Sequence, residues 1–202
     1  MHPILIQTPS AAEARPKPMT PETTIRRLSA PSEPEIHGLA QLLIACVAGG
    51  ASVGFMHPLA LDRALAFWRR IAVAAEAGQR GLLVAEQQGV IVGTVQVLLD
   101  QPDNQPHRAD LAKMLVLPQA RCQGLGSALM RAAERLCLEC GKSLLVLDTA
   151  TGSPAERLYT GLGWERCGVI PDYALWPCGG LTATTVFYKR LTAEPTISEP
   201  ES

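Results

Sequence analysis

The segment from Leu115 to Ser127 constrains this chain more than any other, because it joins a strand to a helix through a loop of unusual chemistry. Leu115-Val116-Leu117 has the character of a strand and runs out at Pro118, which cannot donate to a sheet ladder. Arg121-Cys122-Gln123-Gly124-Leu125-Gly126-Ser127 then opens directly into a helical pattern. In such a loop consecutive backbone N–H groups converge on one point, and the helix dipole adds positive potential there. Gly124 and Gly126 lack a Cβ, so an anion can approach closely, and Arg121 adds charge. The expected result is a pyrophosphate cradle. A P-loop would need a Gly-Lys-Ser/Thr ending, whereas Gly126-Ser127 has no lysine. A dinucleotide fold would need G-x-G-x-x-G after its first strand, but this loop follows roughly the fourth.

The 202 residues suffice for one domain of about 150 residues plus tails. Residues 1–21 hold five prolines without periodicity and read as a flexible tail, as does the polar stretch 193–202. Between them, Thr23 to Leu28 suits a strand. Glu35 to Ala48 and Leu59 to Ala77 carry apolar faces at helical spacing. Gly81 to Glu86 and Val90 to Leu99 are strand-like runs joined by Gln87-Gln88-Gly89. Asp110 to Leu117 is a further strand, Gly124 to Cys140 a helix, and Ser143 to Asp148 a buried strand suited to a parallel neighbour. Ser153, Pro154 and Glu156 form a capping-box start for a helix to about Leu162. Trp164 to Ile170 and Ala183 to Arg190 read as strands around a loop, Pro171 to Leu181. The order implies an α/β domain over 22–192 with a mixed sheet.

Eighteen Lys+Arg against nineteen Asp+Glu, with no basic block, argue against a nucleic-acid partner. The apolar stretch Leu39 to Ala48 is well short of the about 20 residues that a membrane helix needs. Met1 to Ser10 lacks a signal-peptide pattern, so a cytoplasmic protein with reduced thiols is expected. Cys137 and Cys140 form a C-x-x-C in a helix and read as small buried hydrophobes rather than metal ligands; no metal is expected.

Arg121-x-x-Gly124-x-Gly126, after a strand ending in Leu115-Val116-Leu117-Pro118, resembles the acetyl-CoA-binding signature of the GNAT superfamily of N-acetyltransferases. Ala155-Glu156-Arg157-Leu158-Tyr159-Thr160-Gly161-Leu162-Gly163-Trp164 resembles that family's second signature, at the right spacing. Asn104 to Asp110, Lys142 to Thr149 and Pro171 to Leu175 are similar to the tabtoxin resistance acetyltransferases. The resemblance implies a mixed central sheet with helices on both faces and a splayed strand pair that holds acetyl-CoA as cosubstrate. It also implies transfer to the amine of a small molecule, a toxin or antibiotic among the options, by a monomer or homodimer. A protein or peptide acetyltransferase and a non-catalytic acyl-CoA-binding module are the alternatives. Many members carry asparagine seven residues before the tyrosine, where this chain has Gly152.

Acetyl transfer to an amine needs a base for the ammonium, whose pKa is near 10, a donor for the thioester oxygen, and an acid for the departing thiolate. The resemblance places the donor on the backbone at about Leu115 or Val116, with Met114 beside them among the cofactor-binding residues, and the acid on Tyr159. Asp110 and Asp148, at a strand start and a strand end, are the candidate bases. Arg121, Cys122, Gln123, Gly124, Leu125, Gly126 and Ser127 would hold the pyrophosphate, with Ser153 standing in for the absent asparagine. Arg108, beside His107, could clamp a substrate carboxylate. Tyr173 and Trp176 could wall the acceptor pocket.

Overall fold

A computed structural model describes residues 22–192. The tails expected at 1–21 and 193–202 lie outside the described residues. Seven strands and four helices follow in the order β1 (Thr23–Arg27), α1 (Glu33–Ala48), α2 (Leu61–Glu76), β2 (Arg80–Gln87), β3 (Val90–Leu98), β4 (Arg108–Val116), α3 (Leu125–Glu139), β5 (Leu144–Ala150), α4 (Pro154–Gly161), β6 (Glu165–Leu175) and β7 (Leu181–Arg190). They form one sheet in the order β1-β2-β3-β4-β5-β7-β6, in which β4 and β5 are parallel and the other pairs antiparallel.

The two-residue period of the strands sorts the core into two layers. On β2, Leu82 and Val84 pack with α1 and α2 around Trp68, Leu39 and Leu43, while Leu83 and Ala85 pack with α3 around Leu129, Met130 and Leu136. Helices therefore cover both faces of the sheet. Tyr159 and Leu158 place α4 on the same side as α3. Two starts are locally determined. The Ser32 amide and hydroxyl both donate to the Glu35 carboxylate at 2.7 Å, opening α1, and Arg26 ties Glu35 to Glu86 on β2. At the β2–β3 hairpin, Gln88 and Gly89 both take positive φ (50° and 78°), the two-residue turn that matches the strand twist.

β4 changes face midway. Thr94 stands opposite Leu115 but Gln96 opposite Ala112, so β4 carries one extra residue there, and Lys113 sits in it at φ 51°. Ala109 and Leu111 point to the α3 layer before this bulge, whereas Leu115 points to the α1/α2 layer after it.

Three expectations are corrected. The loop expected over Pro171 to Leu181 is mostly strand, and only residues 176–180 connect β6 to β7. Pro171 is tolerated because β6 is an edge strand, and a bulge between Ile170 and Ala174 takes up Asp172 at φ 53°. The capping box does not form: the Glu156 carboxylate accepts from the Gly152 amide at 3.0 Å, the Ser153 amide donates to Ala150 O, and the Ser153 hydroxyl pairs with Thr149. Cys137 is buried as expected, but Cys140 terminates α3 and is exposed.

Candidate active site

The parallel pair at the centre of the sheet is joined only at one end. Arg108 to Asp110 align with Leu144 to Val146, after which β4 continues to Val116 and β5 to Ala150 without further pairing. The strands have splayed, leaving backbone groups on the inner edges of the gap. Their direction follows from alternation. The Leu117 N–H donates to Val92 O at 2.9 Å, so Leu115, opposite Thr94, also faces β3, and Val116, opposite Gly93, presents its N–H and C=O to the gap. Val116 is therefore the available backbone donor. Leu115 is not one: its amide faces β3, and its side chain, 3% exposed, belongs to the α1/α2 core. Met114 sulfur lies 3.9 Å from where a Cβ on Gly126 would stand, beside the cradle.

At the open end of the gap, Cys122 (φ 60°) and Gly124 (φ 81°) turn the chain into α3. The amides of residues 122–127 donate to no backbone acceptor among the described residues, as the start of a helix dictates. A Cβ on Gly124 would meet nothing within 4 Å, so its conformation, in the left-handed region, is what selects glycine. Gly126 has another role than expected. A Cβ there would approach Leu158 Cδ2 to 3.0 Å, so this glycine lets α3 and α4 pack closely. Leu125 is buried and offers only its amide, while Ser127 is half-buried at the first turn. The Arg121 guanidinium donates to Val116 O at 3.2 Å, and the Gln123 side chain bonds Gln119 O and Gln87. A run of unpaired amides at a helix start, with a glycine at the turn, fits the pyrophosphate of acetyl-CoA.

On the β5 side of the gap, Asp148 lies beyond the last β4–β5 pair and accepts from the Thr184 hydroxyl at 2.8 Å. No cation comes within ion-pair distance of it among the described residues. Tyr159 packs between Trp164 and Phe187, with ring centroids at 6.1 and 5.9 Å. The ring is buried, yet the hydroxyl has no hydrogen-bond partner among the described residues. Burial, and after it the Asp148 carboxylate, pushes this hydroxyl well above the usual phenol range, so it stays protonated. Ser153 begins α4 with its hydroxyl 3.2 Å from Thr149 Oγ1. Gly152 has φ 77°, a conformation that asparagine and glycine both adopt readily.

Asp110 and Arg108 are used differently from expectation. Arg108 Nη1 lies 3.1 Å from Asp110 Oδ1, and Gln101 bonds both side chains. Each neutralises the other at the closed end of the strand pair. Arg108 faces Asp110 and Gln101 with its two terminal nitrogens while its buried Nε has no partner among the described residues, and Asp110 has a cationic partner that Asp148 lacks. His107 is exposed, and its carbonyl accepts from Ser143 and Leu144. Tyr173 lies on the exposed edge strand, 56% exposed. Trp176 sits at the β6–β7 tip, where His57 N–H donates to Pro177 O at 2.9 Å and Ser52 to Leu175 O at 3.1 Å. The tip is thereby docked on the α1–α2 connection.

Sequence reasoning missed the cavity next to this contact. It has a volume of about 380 Å³ and is lined by Val53, Gly54, Phe55, Arg63, Phe67, Arg70 and Lys113, among others. Arg63, Phe67 and Arg70 recur on one face of α2, which was a visible signal. The bulge that brings Lys113 to them was not.

A family model described as acetyltransferase (GNAT) family matches residues 51–164, over half of the 202 residues. The chain belongs to the GNAT acetyltransferase family. It is an acetyl-CoA-dependent N-acetyltransferase. An uncharacterised N-acetyltransferase from the hisH–hisA intergenic region of Azospirillum brasilense is 28% identical over 164 residues, 71% of this chain and 96% of that one. N-acetyltransferase 8B of Rattus norvegicus is 31% identical over 110 residues, 54% of this chain and 50% of that protein. The acetyltransferase yncA of Salmonella typhimurium, solved with acetyl-CoA, superposes with a TM-score of 0.68 at 19% identity, covering 87% of this chain and 98% of that one. Ribosomal-protein-alanine N-acetyltransferase of Brucella melitensis superposes at 0.70 and 20% identity, covering 83% and 99%. Both structures share the fold of this GNAT acetyltransferase. No described helix is long and apolar enough to cross a membrane, and no described group of three His, Cys, Asp or Glu could hold a metal ion.

Proposed function

We propose that this acetyltransferase acts on the amine of a small molecule, in the manner of the tabtoxin resistance enzymes that its sequence resembles, with a toxin or antibiotic as the acceptor. The observation that carries the reading is the docking of the acceptor side. The β6–β7 tip bonds the α1–α2 connection through His57 and Ser52, beside a half-open cavity of about 380 Å³, a volume that suits a small ligand.

When bound, acetyl-CoA supplies an acetyl group activated as a thioester. The amides of residues 122–127 hold its pyrophosphate, and Met114 and Ser153 flank the path from there into the gap. The Val116 N–H is the fixed donor for the thioester oxygen, aimed before the reaction begins and so costing no reorganisation. Asp148, without a cationic partner, takes the proton that the acceptor ammonium must lose. Tyr159 donates its proton toward the departing sulfur, a role that requires the hydroxyl to be neutral and otherwise unbonded. Both conditions are met here. General acid help of this kind is worth about 10²- to 10⁴-fold.

Steady-state kinetics over a panel of small amines and peptides tests the reading. Tyr159→Phe is expected to lower kcat by about 10²-fold while calorimetry shows unchanged acetyl-CoA affinity. Full activity in that variant would reduce the tyrosine to packing. Turnover of peptide N-termini in preference to small amines would transfer the function to the protein-acetylating alternative.

A further inference from the structure

The cavity beside the gap holds a set of cations that the proposed reaction does not use. Lys113 reaches it from the β4 bulge, with Nζ 5.9 Å from the Phe67 ring centroid and 3.9 Å from where a Cβ on Gly54 would lie. Arg63 enters from α2 with its guanidinium carbon 5.8 Å from the Phe55 ring centroid, and Arg70 lines the wall two turns later. The described lysines differ sharply in what they bond. Lys142 donates to the carbonyls of Leu99 and Pro106, and Lys189 to Glu134 and the Leu162 carbonyl. Lys113 has no hydrogen-bond or ion-pair partner among the described residues, though it is half-buried at a positive φ that a lysine seldom adopts.

An ammonium in this position loses hydration without gaining an ion pair among the described residues, and the guanidinium groups of Arg63 and Arg70 line the same cavity. Burial accordingly lowers the proton affinity of Lys113, with Arg80 acting in the same direction and Asp148 against it. Asp148 also acts on Tyr159, and the register puts it on β5 two residues past Val146, across the gap from the segment of β4 that leads to Lys113. The aromatic faces of Phe55 and Phe67 support the cations while leaving their N–H donors free for a ligand. Such a set of donors suits a small anion.

We infer that the acceptor carries a carboxylate remote from its amine, and that Lys113, Arg63 and Arg70 hold this carboxylate while the amine faces Asp148. The inference rests on the N-acetyltransferase reading for the amine half alone. It also moves the carboxylate from Arg108, which is occupied by Asp110, to the cavity.

Two measurements on the full chain test it. In the first, calorimetry with glutarate and with glutaramide, which have no amine, reads the anion site independently of transfer. Glutarate is expected to bind and glutaramide not to. Lys113→Met keeps the side-chain length and the backbone strain, and Arg63→Gln with Arg70→Gln alters only exposed groups. Each change is expected to weaken glutarate binding about tenfold or more, the loss expected for one charge-assisted contact. Thermal melting confirms that the variants fold. In the second, kcat/KM is compared across amino acids and their side-chain carboxamides. The acid-to-amide ratio should exceed about tenfold in the unmodified protein and fall toward one in Lys113→Met. Equal binding of glutarate and glutaramide, or binding indifferent to Lys113, overturns the anion site. Lys113-dependent glutarate binding without turnover of any amine leaves the site standing and removes the small-amine reading instead.

Discussion

Asp110 and Asp148 look alike in sequence, each at one end of an apolar strand, but their neighbours separate them. Asp110 is two residues from Arg108 on the same face of β4, and the two side chains meet at 3.1 Å. Asp148 has only the Thr184 hydroxyl. The register puts Asp148 two residues beyond Val146, the partner of Asp110, or about 6.6 Å further along the strand direction. The two carboxylates therefore do not form a joint base. Asp148→Asn is expected to cut kcat by about 10²-fold, read by steady-state kinetics. Asp110→Asn should leave kcat nearly unchanged and cost about 1 kcal/mol of stability, about 2–4 °C in Tm, because it leaves a part-buried guanidinium unpaired. Similar kinetic damage in both variants would restore a joint base.

The helices and the early strands could be read from periodicity because each has one apolar face and clear ends. The second half of β6 could not. β6 contains Pro171 and a left-handed Asp172, both ordinarily loop signals, and only the edge position and bulge reconcile them with a strand. The cradle was legible because its glycines and arginine are contiguous. The acceptor side was not, since it joins α2, the α1–α2 connection and a bulge on β4, which only the fold brings together. That bulge depends on close β3–β4 packing at Gly93, where a Cβ would stand 3.0 Å from Leu129 Cδ1 and 3.1 Å from Leu115 O. The leucine tip can move, but the carbonyl belongs to the strand that presents Val116 to the gap. Gly93→Ala should destabilise the protein by about 1–3 kcal/mol, as overpacking does, and should weaken acetyl-CoA binding as well. Denaturant titration and calorimetry would read the two effects, and an unchanged acetyl-CoA affinity would uncouple the bulge from the gap. Gly124→Val acts on the other side of the cofactor site. Its Cβ meets open space, so the expected loss of acetyl-CoA affinity comes from the left-handed backbone, and Gly124→Asn should retain more affinity than Gly124→Val. Equal loss in the two variants would assign the effect to bulk at the phosphates.

Across the whole domain, the same layering that buries Tyr159 also buries Cys46 and Cys137, and this sets how stability responds to pH. Burial pushes the Cys137 thiol up to about 12, and raises Cys46 and Tyr159 as well. A thiol in the unfolded chain loses its proton near pH 8.5 and a phenol near 10, while the folded protein still holds both. Unfolding then releases protons, so stability is fully present below about pH 8.5 and is lost as pH rises toward 12. Lys113 acts in the opposite sense, because its affinity for a proton is lowered by folding. At the acidic end, Ser32 and Arg26 hold the Glu35 carboxyl below its usual range, and Arg69 does so for Glu33. Their contribution is present above about pH 4.5 and is lost as pH falls below it. The expected outcome is a plateau in Tm between about pH 5 and 8 with a decline on each side. Cys137→Ala should lower Tm on the plateau through lost packing but make the alkaline decline shallower, whereas Cys140→Ser, at an exposed site, should change neither. An alkaline decline as steep in Cys137→Ala as in the unmodified protein would show that the buried thiol does not govern it.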